Sequence, residues 1–177
     1  MIFVTVGTQG RFDRLVRTID EWAGANGRAD IFAQTGPSEY RSEHIRTQPF
    51  IDATEFRERV QAASLVISHA GMGSIITALE LGKRIIVMPR RASLGEHRND
   101  HQLATAKCFA GHGAITVAFT EQELVDKLDR LQDQSETERL AAQASPHLIA
   151  AIRTFIAAGG AGVEGMTFDA SGKGNEA

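Results

Sequence analysis

Short unbroken apolar runs and longer stretches with an apolar residue every third or fourth position take turns along this chain. The run Ile2-Phe3-Val4-Thr5-Val6 has the β-branched character of a strand covered on both faces, and Gly7-Thr8-Gln9-Gly10 breaks it. Phe12, Leu15, Val16, Ile19 and Trp22 then recur at helical spacing up to Ala25, where Gly24 and Gly27 bracket the stop. Ile31-Phe32-Ala33-Gln34 predicts a second strand ending in a Thr35-Gly36-Pro37-Ser38 turn, and residues 39–50 are ambiguous, with a short edge strand around Ile45. Asp52 followed by Glu55 resembles a capping box for a helix carrying Phe56, Val60 and Ala63. Leu65-Val66-Ile67-Ser68 is a further strand ending at His69, Ser74 to Gly82 a short helix, and Ile85-Ile86-Val87-Met88 a strand stopped by Pro89. Residues 90–98 show no apolar period and read as an exposed loop. A helix follows from Asn99 to about Ala110, then a strand Ala114-Ile115-Thr116-Val117, then a helix capped by Thr120 and Glu123 that carries Leu124, Leu128 and Leu131. Ser145-Pro146 opens a last helix with Leu148, Ile149, Ile152, Phe155 and Ile156 as its stripe, and residues 159–177 turn to Gly, Ala, Ser and charge, the composition of a disordered tail.

Strands alternating with helices predict an α/β domain over residues 1–158 with a doubly wound, mostly parallel, Rossmann-like sheet. Such sheets bind ligands beyond the carboxyl ends of their strands, where the strand order reverses. In the Rossmann order that point lies between the strand ending in Gly7-Thr8-Gln9-Gly10 and the strand ending in His69-Ala70-Gly71-Met72-Gly73-Ser74. Two glycine turns, each opening a helix, are then expected to share one crevice with two helix N-termini aimed into it. The first N–H groups of a helix lack internal partners and carry the positive end of its dipole, so the pair suits a diphosphate.

Composition narrows the partners. Nineteen Lys and Arg against 22 Asp and Glu leave a net charge of −3, and there is no basic field or RNA-binding motif to suggest a nucleic acid. The one cysteine, Cys108, has no internal partner, and the absence of a secretory apolar region predicts a cytoplasmic protein without a membrane span. The first turn is Gly-x-x-Gly, and Gln34 ends the second strand where a ribose-binding acid would sit, which argues against a nicotinamide or flavin enzyme. A Walker loop and a Gly-x-Ser-x-Gly elbow are both absent. His97 and His101, with Glu96 and Asp100 beside them, invite a metal reading, but no third-ligand motif accompanies them. Asp100 and Gln102 at the mouth suit the recognition of sugar hydroxyls better.

The start Met1-Ile-Phe-Val-Thr-Val-Gly-Thr, Ser68-His-Ala-Gly-Met-Gly-Ser, Leu79-Glu-Leu-Gly-Lys83 and Gly95-Glu-His-Arg-Asn-Asp-His-Gln102 together resemble glycosyltransferase family 28 in its donor-binding C-terminal half, over roughly residues 1 to 130. More narrowly, the chain is similar to the small subunits of two-component transferases: the dolichol-linked N-acetylglucosaminyltransferase and bacterial exopolysaccharide enzymes. The resemblance implies the donor half of a GT-B glycosyltransferase, a UDP-sugar as substrate with no metal or other cofactor, and inverting transfer. It implies that Gly7, Thr8 and Gly10 face the donor diphosphate, that His69, Gly71, Gly73 and Ser74 hold its phosphates, and that Asp100 and Gln102 take the sugar hydroxyls. Gln34 then lies near the nucleotide. Relatives commonly carry a Glu three residues after the Ser74 position to accept the ribose hydroxyls; this chain has Thr77, and Glu80, nearly one turn later, is either its substitute or a solvated helix charge. Arg90 or Arg91 would add charge at the diphosphate, and no residue is a candidate catalytic base. A membrane-attached acceptor-binding subunit is therefore the expected partner, with a lipid-linked sugar as acceptor and recruitment to the cytoplasmic membrane face. The sugar itself stays open among N-acetylglucosamine, glucuronic acid, glucose and galactose. The alternatives are a nucleotide-sugar-binding or regulatory protein that transfers nothing, and a structural domain whose glycine loops are only turns.

Overall fold

The computed structural model describes residues 1–110 and 115–133, which lie within the unit Met1–Ala142. The expected Pro146 helix, the domain boundary at residue 158 and the tail from residue 159 fall outside the described residues.

The order of elements is β1 (Ile2–Thr5), α1 (Asp13–Ala25), β2 (Ile31–Gln34), β3 (Arg46–Gln48), α2 (Ala53–Ala62), β4 (Leu65–His69), α3 (Met72–Glu80), β5 (Ile85–Met88), a 3-10 turn (Ala92–Leu94), α4 (His101–Phe109), β6 (Ile115–Val117) and α5 (Glu121–Asp133). The six strands form one sheet in the order β3-β2-β1-β4-β5-β6, and every neighbouring pair is parallel. The doubly wound sheet is thus present, and its order reverses between β1 and β4, in register Ile2 to Leu65 through Thr5 to Ser68.

Helices cover both faces, which is why β1, β2 and β5 are buried at every position and read as unbroken apolar runs. Side chains alternate between faces. Val4, Ile67, Ile86 and Met88 join Leu15, Val16, Ile19 and Trp22 of α1 and Leu124 and Leu128 of α5 in one core cluster. Phe3 goes to the other face and meets Phe56 of α2 edge-on, with ring centroids 5.6 Å apart. Each of these buried side chains contributes about 1.5–3 kcal/mol of transfer free energy.

The caps hold, with one adjustment. Asp52 accepts the Glu55 N–H at 2.8 Å, but the Glu55 carboxylate turns to Arg59 rather than back to the cap. Thr120 accepts the Glu123 N–H at 3.2 Å, and Glu123 reaches back to the N–H of Phe119 at 2.8 Å. The ambiguous residues before β3 are organised by a single buried carboxylate. Asp20 of α1, 1% exposed, accepts the N–H groups of Glu43, His44 and Ile45 at 2.8–3.1 Å and the Tyr40 hydroxyl at 2.9 Å.

Residues 90–98 form the expected loop, exposed at Ser93, Leu94, Gly95 and Arg98, but it is pinned inward at two charges. Arg90 is 1% exposed, and Glu96 is bound by Arg14 of α1 through two hydrogen bonds, at 2.7 and 2.8 Å. Polarity in this stretch therefore marks both solvated positions and two charges turned inward.

Candidate functional site

The β1–α1 and β4–α3 connections emerge side by side at the carboxyl end of the sheet because β1 and β4 are neighbours there. A pocket of about 430 Å³ opens between them. Thr5, Gly7, Thr8 and Gln34 form one side, His69, Gly73, Ser74 and Thr77 the second, and Ile51, Asp52, Ala53 and Phe56 the third. The two glycine turns therefore do meet in one crevice.

The His69 imidazole is wedged between them. A Cβ on Gly7 would fall 2.6 Å from its Cε1, and a Cβ on Gly71 would overlap its Nε2, so neither position leaves room for a side chain. Gly7 also has φ 76°, a backbone state that costs other residues strain. Burial, reinforced by the nearby Arg90 cation, pushes the His69 pKa down to about 4, so the ring is neutral at pH 7.

Gly71 is the N-cap of α3, which begins at Met72, two residues earlier than the spacing predicts. The first intrahelical bond runs from the Ile75 N–H to Gly71 O, so the N–H groups of Met72, Gly73 and Ser74 precede the ladder. Ser74 is 7% exposed, lines the pocket, and its hydroxyl has no partner among the described residues. A Cβ on Gly73 would meet nothing within 4 Å, so that glycine borders open space in the pocket.

On the opposite wall Thr5 Oγ1 accepts the Gly7 N–H at 3.1 Å and donates to Gln34 Oε1 at 2.6 Å. Gln34 Nε2 donates to Gly7 O at 3.3 Å. Gln34 thus borders the pocket while clamping the turn with both ends of its amide.

Other expected residues stand elsewhere. Gly10, with φ 71°, packs against Arg90 and is not part of the pocket lining. The Asp100 carboxylate accepts the Ala92 N–H at 2.9 Å, and Gln102 Oε1 accepts the Arg90 N–H at 3.2 Å, so both brace the loop after β5. Thr77 lines the pocket, whereas Glu80 sits at the last residue of α3, 4.0 Å from Arg57. The Arg90 guanidinium donates to backbone carbonyls behind the first turn, and Arg91 Nη2 donates to Phe119 O at 2.5 Å. Because α4 begins at His101, His97 and His101 do not share a helix face; His97 bonds Asn99 instead.

The second helix start at the pocket is that of α2, through Asp52 and Ala53, rather than that of α1. Asp52, legible in the sequence only as a cap, is the one carboxylate on the lining among the described residues. A larger groove of about 920 Å³ between α1 and α5 is bordered by charges of both signs, and Trp22 donates to Asp129 there at 2.7 Å. It has no glycine turn, and the start of α5 that borders it brings the Glu121 carboxylate, so it lacks the anion-binding chemistry of the smaller pocket.

The model of the glycosyltransferase family 28 C-terminal domain matches residues 1–155. This chain belongs to that family. Among curated relatives of this family 28 chain, the human UDP-N-acetylglucosamine transferase subunit ALG13 is 34% identical over 124 residues, 64% of this chain and 10% of that protein. The UDP-N-acetylglucosamine--N-acetylmuramyl-(pentapeptide) pyrophosphoryl-undecaprenol N-acetylglucosamine transferase of Prosthecochloris aestuarii is 31% identical over 134 residues, 71% of this chain and 33% of that protein. The chain thus spans a tenth to a third of the length of these relatives. Among solved structures, an NMR structure of ALG13 superposes with a TM-score of 0.57 at 21% identity, covering 86% of this chain and 93% of that one. The glycosyltransferase of kitacinnamycin gives 0.55 at 16% identity, covering 90% of this family 28 chain and 40% of its own. At those identities the likeness speaks to the fold, the Rossmann-like fold of GT-B glycosyltransferases.

Proposed function

We propose that this family 28 chain is the donor-binding subunit of an inverting UDP-sugar glycosyltransferase, and that a membrane-attached partner supplies the acceptor site. The observation that carries it is the pocket in which the turn after β1 and the N-terminus of α3 come together. A diphosphate there meets the free N–H groups of α3, the Ser74 hydroxyl and the backbone of Gly7 and Thr8. In the displacement, the acceptor hydroxyl attacks the anomeric carbon and the bond to the diphosphate oxygen breaks, so negative charge grows on the leaving UDP. Preorganised N–H groups stabilise that charge most where it develops. Neutral His69 serves as a hydrogen-bond donor to the phosphates, and a ring with a pKa of about 4 is a poor general base at neutral pH. The base and the acceptor therefore come from the partner.

Ile51, Ala53 and Phe56 give the pocket an apolar wall of the kind a nucleoside packs against, and Asp52 offers a carboxylate to hydroxyl groups. The relatives' printed activities, transfer of N-acetylglucosamine by ALG13 and onto a pyrophosphoryl-undecaprenol acceptor by the bacterial enzyme, favour a lipid-linked acceptor. Exopolysaccharide or glycolipid assembly at the cytoplasmic membrane face is the fitting context. No helix among the described residues is long and apolar enough to cross a membrane.

Isothermal titration with UDP and a panel of UDP-sugars tests donor binding. Co-expression with the membrane partner, assayed on a polyprenyl-diphosphate sugar, tests transfer. Binding with transfer supports the proposal; binding with persistent inactivity favours a non-catalytic nucleotide-sugar-binding protein, and the absence of both overturns donor binding itself.

A further inference from the structure

Arg90 follows Pro89 at the end of β5 and carries the largest side chain in the fully buried core. Nη2 donates to Val6 O at 2.8 Å and to Gly10 O at 3.0 Å, Nη1 donates to Gln9 O, and the guanidinium carbon lies 5.4 Å from the Phe12 ring centroid. Every acceptor in this set is a neutral carbonyl of the turn after β1. Nε is buried with no partner among the described residues. The nearby carboxylate, Glu96, is committed to two bonds from Arg14 and one from the Arg91 N–H. A buried cation without a bonded anion is costly, and a fold keeps one where its field is used.

The geometry of the turn says what the field acts on. Peptide planes here are trans, so each carbonyl drawn toward Arg90 turns the N–H across its plane the other way. Val6 O pairs in this sense with the Gly7 N–H, which Thr5 Oγ1 accepts; Gln9 O pairs with the Gly10 N–H and Gly10 O with the Arg11 N–H. The Thr8 N–H has no acceptor among the described residues and lies on the pocket wall; Gly10 and Arg11 do not line the pocket, so Arg90 acts on the far end of the corner whose near end, Gly7 and Thr8, does. The packing is tight: a Cβ on Gly10 would fall 2.9 Å from Arg90 Nη1. Gln102 fixes the Arg90 main chain from α4.

We propose that Arg90 is a positioning residue for the diphosphate: its buried guanidinium gathers three carbonyls behind the turn after β1, fixes the corner that presents the backbone of Gly7 and Thr8 to the pocket, and awaits a counter-charge that the ligand supplies. This rests on the donor-binding function proposed above and assigns Arg90 an indirect part in it, with no contact to the phosphates. Burial first, and the Arg90 cation second, hold the imidazole of His69 in its neutral form, so the ring senses the loss of the Arg90 charge.

The full-length protein and its Arg90→Met and Arg90→Lys variants are titrated calorimetrically with UDP, uridine and inorganic pyrophosphate, and the His69 ring is titrated by NMR. For Arg90→Met, affinity for UDP and pyrophosphate falls by about tenfold or more, uridine affinity is unchanged, and the His69 pKa rises. Arg90→Lys keeps the charge but not the fork, so UDP affinity still falls severalfold while His69 titrates as in wild type. A folded Arg90→Met protein with wild-type affinity for both ligands, or an unshifted His69, overturns the proposal. If Arg90→Met does not fold, wild-type UDP affinity in Arg90→Lys overturns it. Wild-type protein that binds pyrophosphate in an Arg90-dependent way but no UDP defeats the donor function alone; wild-type protein that binds neither defeats both.

Discussion

Acid should destabilise this domain in a way that traces to one side chain. The His69 pKa lies near 4 in the folded protein, because burial and the Arg90 cation disfavour the imidazolium, against an ordinary value of 6.5 once the chain unfolds. The unfolded state therefore binds more protons between these values, and unfolding becomes easier as pH falls. The loss begins near pH 6.5 and is complete below pH 4. Linkage puts it at about 2 kcal/mol between pH 7 and 5, and about 3 kcal/mol by pH 4. Carboxylates titrate over part of the same range, so the comparison needs a reference: His69→Gln has the same carboxylates but no titrating ring. Urea unfolding of both proteins at pH 7, 6, 5 and 4, plotted as a difference, isolates the imidazole. Wild type should lose about 2 kcal/mol more than the variant by pH 5. Parallel pH curves would refute the placement of an uncharged ring between the two turns. UDP favours the imidazolium, so its affinity for wild type should also gain more on acidification than its affinity for His69→Gln does.

Gly71→Ala should lose both stability and UDP binding, since its Cβ collides with the His69 ring, whereas Gly73→Ala, whose Cβ meets open space, should keep its melting temperature and lose only binding. Thermal melts with and without UDP separate the two. Asp20→Ala strands three N–H groups and a tyrosine hydroxyl, and should cost about 3–5 kcal/mol in urea unfolding; a cost below about 1 kcal/mol would contradict the clamp. Asp52→Ala and Thr77→Ala should weaken UDP binding measured by calorimetry, and Glu80→Ala should leave it unchanged; the reverse ranking would place the ribose near the end of α3.

The apolar periods carry the strands and helices because the sheet is covered on both faces, so burial leaves its mark at nearly every position of Ile2–Thr5 and Ile85–Met88. The crevice was legible too, since strand order follows from the alternating pattern and both glycine turns stand at strand ends. What periodicity does not carry is polar architecture between distant residues. Arg90 and the carbonyls it binds are 80 to 84 residues apart, and Arg14 and Glu96 are separated by 82, so a loop pinned inward at two charges looks solvated throughout in sequence. The segment around Tyr40 is ambiguous for the same reason, being shaped by Asp20 from 20 residues upstream. Three residues along α3 carry Glu80 about 4.5 Å further from the helix start than Thr77, which is enough to take it past the end of the pocket.

The central claim is that two remote backbone corners form one diphosphate site. The most direct measurement is a two-dimensional amide NMR titration of the full chain with UDP. The account predicts that Gly7, Thr8, Gly73 and Ser74 shift together along a single binding curve, with His69 following in its ring signals. Shifts confined to one of the two turns, or to the groove between α1 and α5, would contradict it.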